Sequence, residues 1–180
     1  MEHALVADAR GARVPMQTDM GLAVPVPYPP APIVIEAHPR HFVLSRVESA
    51  PFFFASPLTF EPRFAERGSV LAESSERESW LLRGDPVDVA PRSPHDWQPG
   101  PEPGPFALTV ALEGRLPSAF GDEAAGERPA RVLVSGSGQD TYLPDPGPGG
   151  EPTGALSVAT RAVEWLVEDD ALLALAPGGA

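Results

Sequence analysis

The chain has no cysteine, and its 13 basic side chains other than histidine are all arginine. The first absence removes disulfides, thiolate nucleophiles and thiolate metal sites together. The second removes the lysine that a Walker-type phosphate loop requires. Cations are scarce in any case: 13 stand against 25 acidic residues, for a formal charge of −12. Phosphate backbones reward clustered cations through counterion release, so nucleic acid is disfavoured as a partner, and an anionic membrane surface is disfavoured on the same ground. No apolar run approaches the ~20 residues of a membrane-spanning helix. The opening Met1, Glu2, His3, Ala4, Leu5 lacks the basic segment and apolar stretch of a secretory signal. Lysine depletion alongside abundant alanine, glycine, proline and arginine reads as the imprint of a GC-rich genome.

What is abundant is punctuation, with 24 prolines and 17 glycines in 180 residues. The length suits one domain, assigned to 1–176 with a tail at 177–180. Proline lacks an amide donor and glycine favours turns, so 25–32 (PVPYPPAP), 91–105 and 144–152 read as loops. Short β-branched or aromatic runs between them read as strands at 33–35, 52–54, 69–71 and 80–82. The runs 106–112 (FALTVAL) and 131–135 (RVLVS) are stronger, and resemble strands covered on both faces. Helical turns are hinted at 46–50 and 60–68. From Thr153, a plausible N-cap, Leu156, Ala159, Val163 and Leu166 recur at spacings of three and four, opposite Arg161, Glu164 and Glu168. A strand, a loop and an amphipathic helix form half of a βαβ unit. The expected class is therefore α/β, a mainly parallel sheet with flanking helices, either incomplete or an α+β variant.

Catalytic patterns are incomplete. The turn after the 131–135 strand, Ser135, Gly136, Ser137, Gly138, Gln139, Asp140, is rich in glycine. It nevertheless lacks the third glycine of a dinucleotide fingerprint, where Thr141 stands, and the flanking glycines of a nucleophile elbow. A turn at the end of a parallel strand is still where open α/β sheets bind ligands, so Ser135, Ser137, Gln139, Asp140 and Tyr142 form the candidate ligand site. His38 and His41, with Glu36 nearby, lack a metal signature and read as loop residues. His95, Asp96 and Trp97 lack a serine motif to complete a triad. Trp97 is expected either tucked onto the domain or offered to a partner. Consecutive Phe52, Phe53 and Phe54 are expected to fill alternate faces of a strand. The 73–78 stretch (ESSERE) reads as a solvated charged turn. No cofactor motif is complete.

Two stretches carry a resemblance. Arg131-Val-Leu-Val134 with the turn 135–140, then Arg161-Ala-Val-Glu-Trp-Leu166 and Asp169-Asp-Ala-Leu172, is similar to the strand, Gly-Asp-Ser-Asp turn and Asn-Ala-Val-Asp-Trp-Leu helix of the GldG-type auxiliary component of ABC transporters linked to gliding motility. Leu5-Val-Ala-Asp8 resembles that family's Leu-Val-Leu-Asp segment, and the order Tyr28-Pro29, His38-Pro39, Ser79-Trp80 follows its course. The turn and Arg161 depart from the family's pattern, and its opening β-α segments and membrane anchors are missing. The resemblance implies the C-terminal part of a membrane-tethered extracytoplasmic domain, Rossmann-like or glutamine-amidotransferase-like in fold. Its implied partners are a transporter permease or other membrane-complex subunits, with no ATP hydrolysis of its own. It also implies that Val163 and Leu166 face the sheet while Trp165 closes the helix edge.

The expected role is thus a non-enzymatic accessory or scaffold domain of an ABC-type transport system. The alternative is a small-ligand or glycan-binding module using the turn after 131–135, with Trp97 and Tyr142 as stacking surfaces. A hydrolase using Ser135, Ser137 or His95 is the third.

Overall fold

The computed structural model describes residues 3–18, 20–34, 41–44, 49–116, 128–138 and 154–167. Glu36, His38, Gln139, Asp140, Tyr142, Thr153, Glu168 and the tail at 177–180 lie outside the described residues, as do most of the expected helical turn at 46–50 and all of the loop 144–152. The described strands are β1 (His3–Asp8), β2 (Gly11–Gln17), β3 (Ala23–Val34), β4 (Ala50–Pro51), β5 (Gly68–Glu73), β6 (Ser79–Gly84), β7 (Ala107–Leu116) and β8 (Arg128–Ser135), followed by helix α1 (Gly154–Leu166). They form three small sheets in the orders β1-β6, β2-β3-β4 and β5-β7-β8. Every pairing among them is antiparallel.

The expected parallel α/β sheet, Rossmann-like or glutamine-amidotransferase-like, is therefore incorrect. That expectation takes the 131–135 run and the helix as half of a βαβ crossover. In the structure the run is the end of β8, which folds back antiparallel on β7, with Val110 opposite Val134 and Leu112 opposite Val132. A strand before a helix implies a parallel sheet only if another strand follows in parallel register, and none does here among the described residues. Nor is β8 covered on both faces, because Val132 and Val134 are exposed.

The second correction concerns proline. Residues 25–32 are not a loop but the body of β3. Pro15 faces Pro25 and Arg13 faces Pro27 across the β2–β3 ladder. Opposed residues of an antiparallel pair alternate between hydrogen-bonded and non-hydrogen-bonded. A pair of two prolines has no donor and must be of the second kind. Spacing of two then places Pro27 at the next such position, where no amide is needed. Nearer the end of β3, the carbonyls of Pro32 and Pro30 accept from the amides of Phe52 at 2.8 Å and Phe54 at 2.9 Å. That ladder runs one way, from the phenylalanine amides to the proline carbonyls. Fixed φ suits proline to extended backbone once its missing donor is not required.

The phenylalanine stretch is not a regular strand either. Phe54 takes a left-handed backbone with φ of 55°, a strained conformation for a bulky residue that persists only where its surroundings enforce it. Phe52 enters the larger core with Val6, Leu71, Leu108 and Val158, whereas Phe53 and Phe54 pack against the smaller one, around Tyr28, Trp80 and Trp97.

Helix α1 forms where expected but turns a different face inward. Val158, Ala162 and Trp165 are buried at spacings of four and three, with Trp165 at 4% exposure, whereas Val163 at 60% and Leu166 at 41% face outward. The side chain of Leu156 lies outside those described. Alanine at 162 lets the helix approach closely, and the indole fills the remaining space. His41 meets that indole edge to face at 5.1 Å, and the Arg131 guanidinium lies 5.5 Å from it. Arg131 also donates to the Trp165 carbonyl at 2.9 Å and pairs with Glu113 at 2.8 Å, which ties the helix end to β7 and β8. Arg161 donates from Nε to the Phe42 carbonyl at 2.8 Å and stacks on the Phe42 ring.

The choice of face is testable by denaturant unfolding. Trp165→Ala should lower stability by about 3–5 kcal/mol, as large-to-small core substitutions of this size do. Val163→Ala should change it by no more than about 0.5 kcal/mol. The reverse ranking would mean that the helix is packed the other way round.

Candidate functional site

Asp8 ends β1 as a fully buried carboxylate. It accepts from the Ser75 amide at 2.7 Å, the Ser75 hydroxyl at 2.8 Å and the Arg10 amide at 2.9 Å. Three donors on one carboxylate satisfy a group whose isolated burial would be costly. The Ser75 hydroxyl in turn accepts from Arg10 Nε at 2.8 Å, and the same Nε lies 3.3 Å from Glu78. Ser74 and Ser79 share a hydrogen bond of 2.8 Å, the Phe106 amide donates to Ser74 Oγ at 3.0 Å, and Ser79 Oγ donates to the Ser75 carbonyl. Gly104 lies against this network so closely that an added Cβ would overlap Ser79 Oγ. The 73–78 stretch is therefore only half solvated: Glu76, Arg77 and Glu78 are exposed, but Ser74 and Ser75 are buried. Beside the network opens a cleft of about 390 Å³ lined by Arg10, Val34, Glu73, Ser75, Glu76 and Pro105. Sequence reasoning missed this constellation. The available signal was the pair of serines placed between glutamates, at a turn joining two strands.

A second constellation centres on Tyr28. Its ring meets Phe54 at 6.2 Å and Trp97 at 5.9 Å, both edge to face, and its hydroxyl donates to the Val89 carbonyl at 2.6 Å. Trp97 is thus tucked onto the domain, and the Arg92 guanidinium covers it at 4.4 Å. Asp88 accepts from the Ala90 amide at 3.0 Å and pairs with Arg92 at 2.7 Å. The Ala90 amide bond, helped by Arg92, holds the Asp88 carboxyl below its ordinary range. Apolar clefts of about 370 and 480 Å³ flank Val89. His95 and Asp96 lie exposed on a short 3-10 turn before Trp97.

The expected ligand turn is only partly described. Ser137 is buried and donates its hydroxyl to the Phe53 carbonyl at 2.7 Å, while Ser135 Oγ accepts from the Ser137 amide at 3.2 Å. Ser137 thus fastens the turn against the phenylalanine segment, and Ser135 braces the turn from within. Gln139, Asp140 and Tyr142 lie outside the described residues. His41 is taken up by its stacking on Trp165. No group of three or more His, Cys, Asp or Glu is gathered to hold a metal ion among the described residues.

Burial pushes the Tyr28 phenol above its ordinary value of 10.0; Arg92 pulls against that rise and Asp88 adds to it. A phenolate could not donate to Val89, so the neutral form belongs to the fold. The stability it contributes is fully present below about pH 10 and is lost as pH rises through the elevated folded value. In alkaline unfolding followed by circular dichroism, Tyr28→Phe should abolish part of that loss, and should cost about 1 kcal/mol at neutral pH from the missing hydrogen bond. An alkaline profile identical to that of the wild type would contradict this coupling.

No curated protein and no solved structure matches the chain. A family model described as an ABC-type uncharacterized transport system matches residues 1–141, which take in β1 through β8 and both constellations. The chain belongs to this family of auxiliary components of ABC-type transport systems.

Proposed function

We propose that this chain is a non-enzymatic scaffold domain that serves its transport system by holding another subunit, and that the system is of the gliding-motility class. The observation that carries the scaffold role is the β2–β3 hairpin. Past Pro15 and Pro25 its two strands leave the core, and the tip presents Met20 at 82% exposure, with Leu22 and Val24 also exposed. The tip is nonetheless ordered by its own bonds. The Thr18 amide donates to the Leu22 carbonyl and the Gly21 amide to the Thr18 carbonyl, both at 2.8 Å, with Gly21 in a left-handed turn at φ of 73°. A projection ending in exposed apolar side chains suits a hydrophobic anchor set into a partner's pocket, where burial of Met20 and Leu22 would contribute about 1.5–3 kcal/mol each. Prolines along both strands stiffen it at little cost, because the ladder there needs no donor from them.

The gliding-motility class rests on the resemblance of 131–135 and 161–166 to the GldG-type component. That resemblance also motivates an extracytoplasmic position and a permease or other membrane-complex subunit as partner. No described helix is long and apolar enough to cross a membrane, so an attachment to the membrane would come through that partner or through a part of the protein other than the described helix.

Co-expression with a permease and ATPase of an ABC-type transport system from the same genome, sought first among the neighbouring genes, tests the proposal. The wild type should co-purify with the permease, and Met20→Asp with Leu22→Asp should abolish co-purification while leaving the thermal midpoint unchanged. Retention of the complex by the double variant would remove the hairpin from the interface, and the lack of any permease that co-purifies with the wild type would remove the permease as its partner.

A further inference from the structure

The cleft beside Asp8 has the parts of a small-molecule site. Its volume of about 390 Å³ falls within the ordinary range for ligand pockets, roughly 300–1,000 Å³. One wall carries a cation that the fold has aimed. Arg10 Nε is fixed on Ser75 Oγ, whose proton is fixed on the buried Asp8 carboxylate. The only other contact of that side chain among the described residues is Nε to Glu78. Neither terminal nitrogen of the guanidinium donates a hydrogen bond among the described residues, so both keep donors for a ligand. An arginine held in this way has already lost much of the rotamer freedom that binding an anion would otherwise cost it.

The charge around it limits what can bind. Glu73 and Glu76 line the same cleft, and Glu78 lies against Arg10. A lone anion would meet one guanidinium and three carboxylates, and a lone cation would leave the terminal nitrogens of Arg10 without a ligand acceptor. A molecule carrying both charges engages Arg10 with one group and offsets the repulsion from the carboxylates with the other. Val34 and Pro105 add apolar wall, suited to a short aliphatic group.

We propose that this cleft binds a small zwitterion, a carboxylate with a protonated amine close by, as in a free amino acid or a dipeptide. The carboxylate takes the terminal nitrogens of Arg10, the amine lies toward Glu73 and Glu76, and the aliphatic part rests on Val34 and Pro105. The buried Asp8 and Ser75 position Arg10 without touching the ligand. This site is independent of the hairpin contact proposed for the scaffold role.

Amide chemical-shift titration of the full chain tests it, with alanine and alanylalanine as zwitterions and acetate and ethylamine as single-charge controls. The zwitterions should shift amides of 9–11 and 73–76 saturably, and the single-charge probes should do so at least about tenfold more weakly, a difference of the size one charged contact makes. Arg10→Gln should weaken alanine by a similar factor. Glu76→Gln, at an exposed position where folding is not at stake, should weaken alanine while strengthening acetate. The proposal fails if neither zwitterion shifts these amides, if acetate binds as well as alanine, or if Glu76→Gln leaves alanine binding unchanged. Loss of the permease complex in hairpin variants with intact alanine binding would separate this proposal from the scaffold role.

Discussion

Nine residues, 50–58, hold the three sheets together, and they do so largely with backbone hydrogen bonds. Ala50 and Pro51 pair with β3, and Phe52 and Phe54 then donate to the carbonyls of Pro32 and Pro30. The Ala55 carbonyl accepts from Val6 of β1 at 2.8 Å. Ser56 donates to the Gly136 carbonyl at 2.9 Å, where β8 ends, and Leu58 donates to Ala107 at the start of β7. Gly136 must be glycine, because an added Cβ would overlap the Ser56 carbonyl. Each sheet alone is only two or three strands, too small for independent stability without a partner face. The connector supplies that partner and carries Phe52 into the larger core and Phe53 and Phe54 toward the smaller one.

This arrangement explains why proline is so frequent in β3. A proline carbonyl is a full acceptor even though the residue has no amide to return. A one-way ladder is therefore open to it, provided that the neighbouring segment supplies the donors. Phe54 is held at positive φ by the same neighbours, through its amide on Pro30 and through the Ser137 hydroxyl on the carbonyl of Phe53. Three unusual features, a proline-rich strand, a left-handed phenylalanine and a buried serine in a glycine-rich turn, are thus parts of one joint.

Much of this joint was hidden in the sequence for a physical reason. The β-branched and apolar runs at 69–71, 80–82, 106–112 and 131–135 mark β5, β6, β7 and β8, because such residues suit paired extended backbone even where, as at Val132 and Val134, they stay exposed. β3 was masked by the usual meaning of proline, and β1 by Ala4 and Ala7, a residue type that strands disfavour. β2 alternates Ala12, Val14 and Met16 with Arg13, Pro15 and Gln17, a legible half-buried pattern obscured by its own proline. The helix was legible as a helix, but hydrophobicity favoured Val163 and Leu166, whereas close packing selected the small Ala162 and the large Trp165. Of the candidate ligand turn, Ser137 proved to be an internal fastener. The Asp8 network left only the serine pair at 74–75 as a sign, since its members come from β1 and the turn after it, from the β5–β6 turn and from β6, and only the antiparallel pairing of β1 with β6 brings them together.

Family membership and the projecting hairpin frame the role of the domain, but both require the sheets to stay joined. Amide hydrogen exchange at Val6, Phe52, Phe54 and Ser56 tests that requirement most directly. If the connector is the common joint, all four amides exchange together, at the slow rate set by global unfolding. Fast exchange at Phe52 and Phe54 with slow exchange at Val6 and Ser56 would show that the proline carbonyls hold nothing, and that residues 50–58 are not what joins the three sheets.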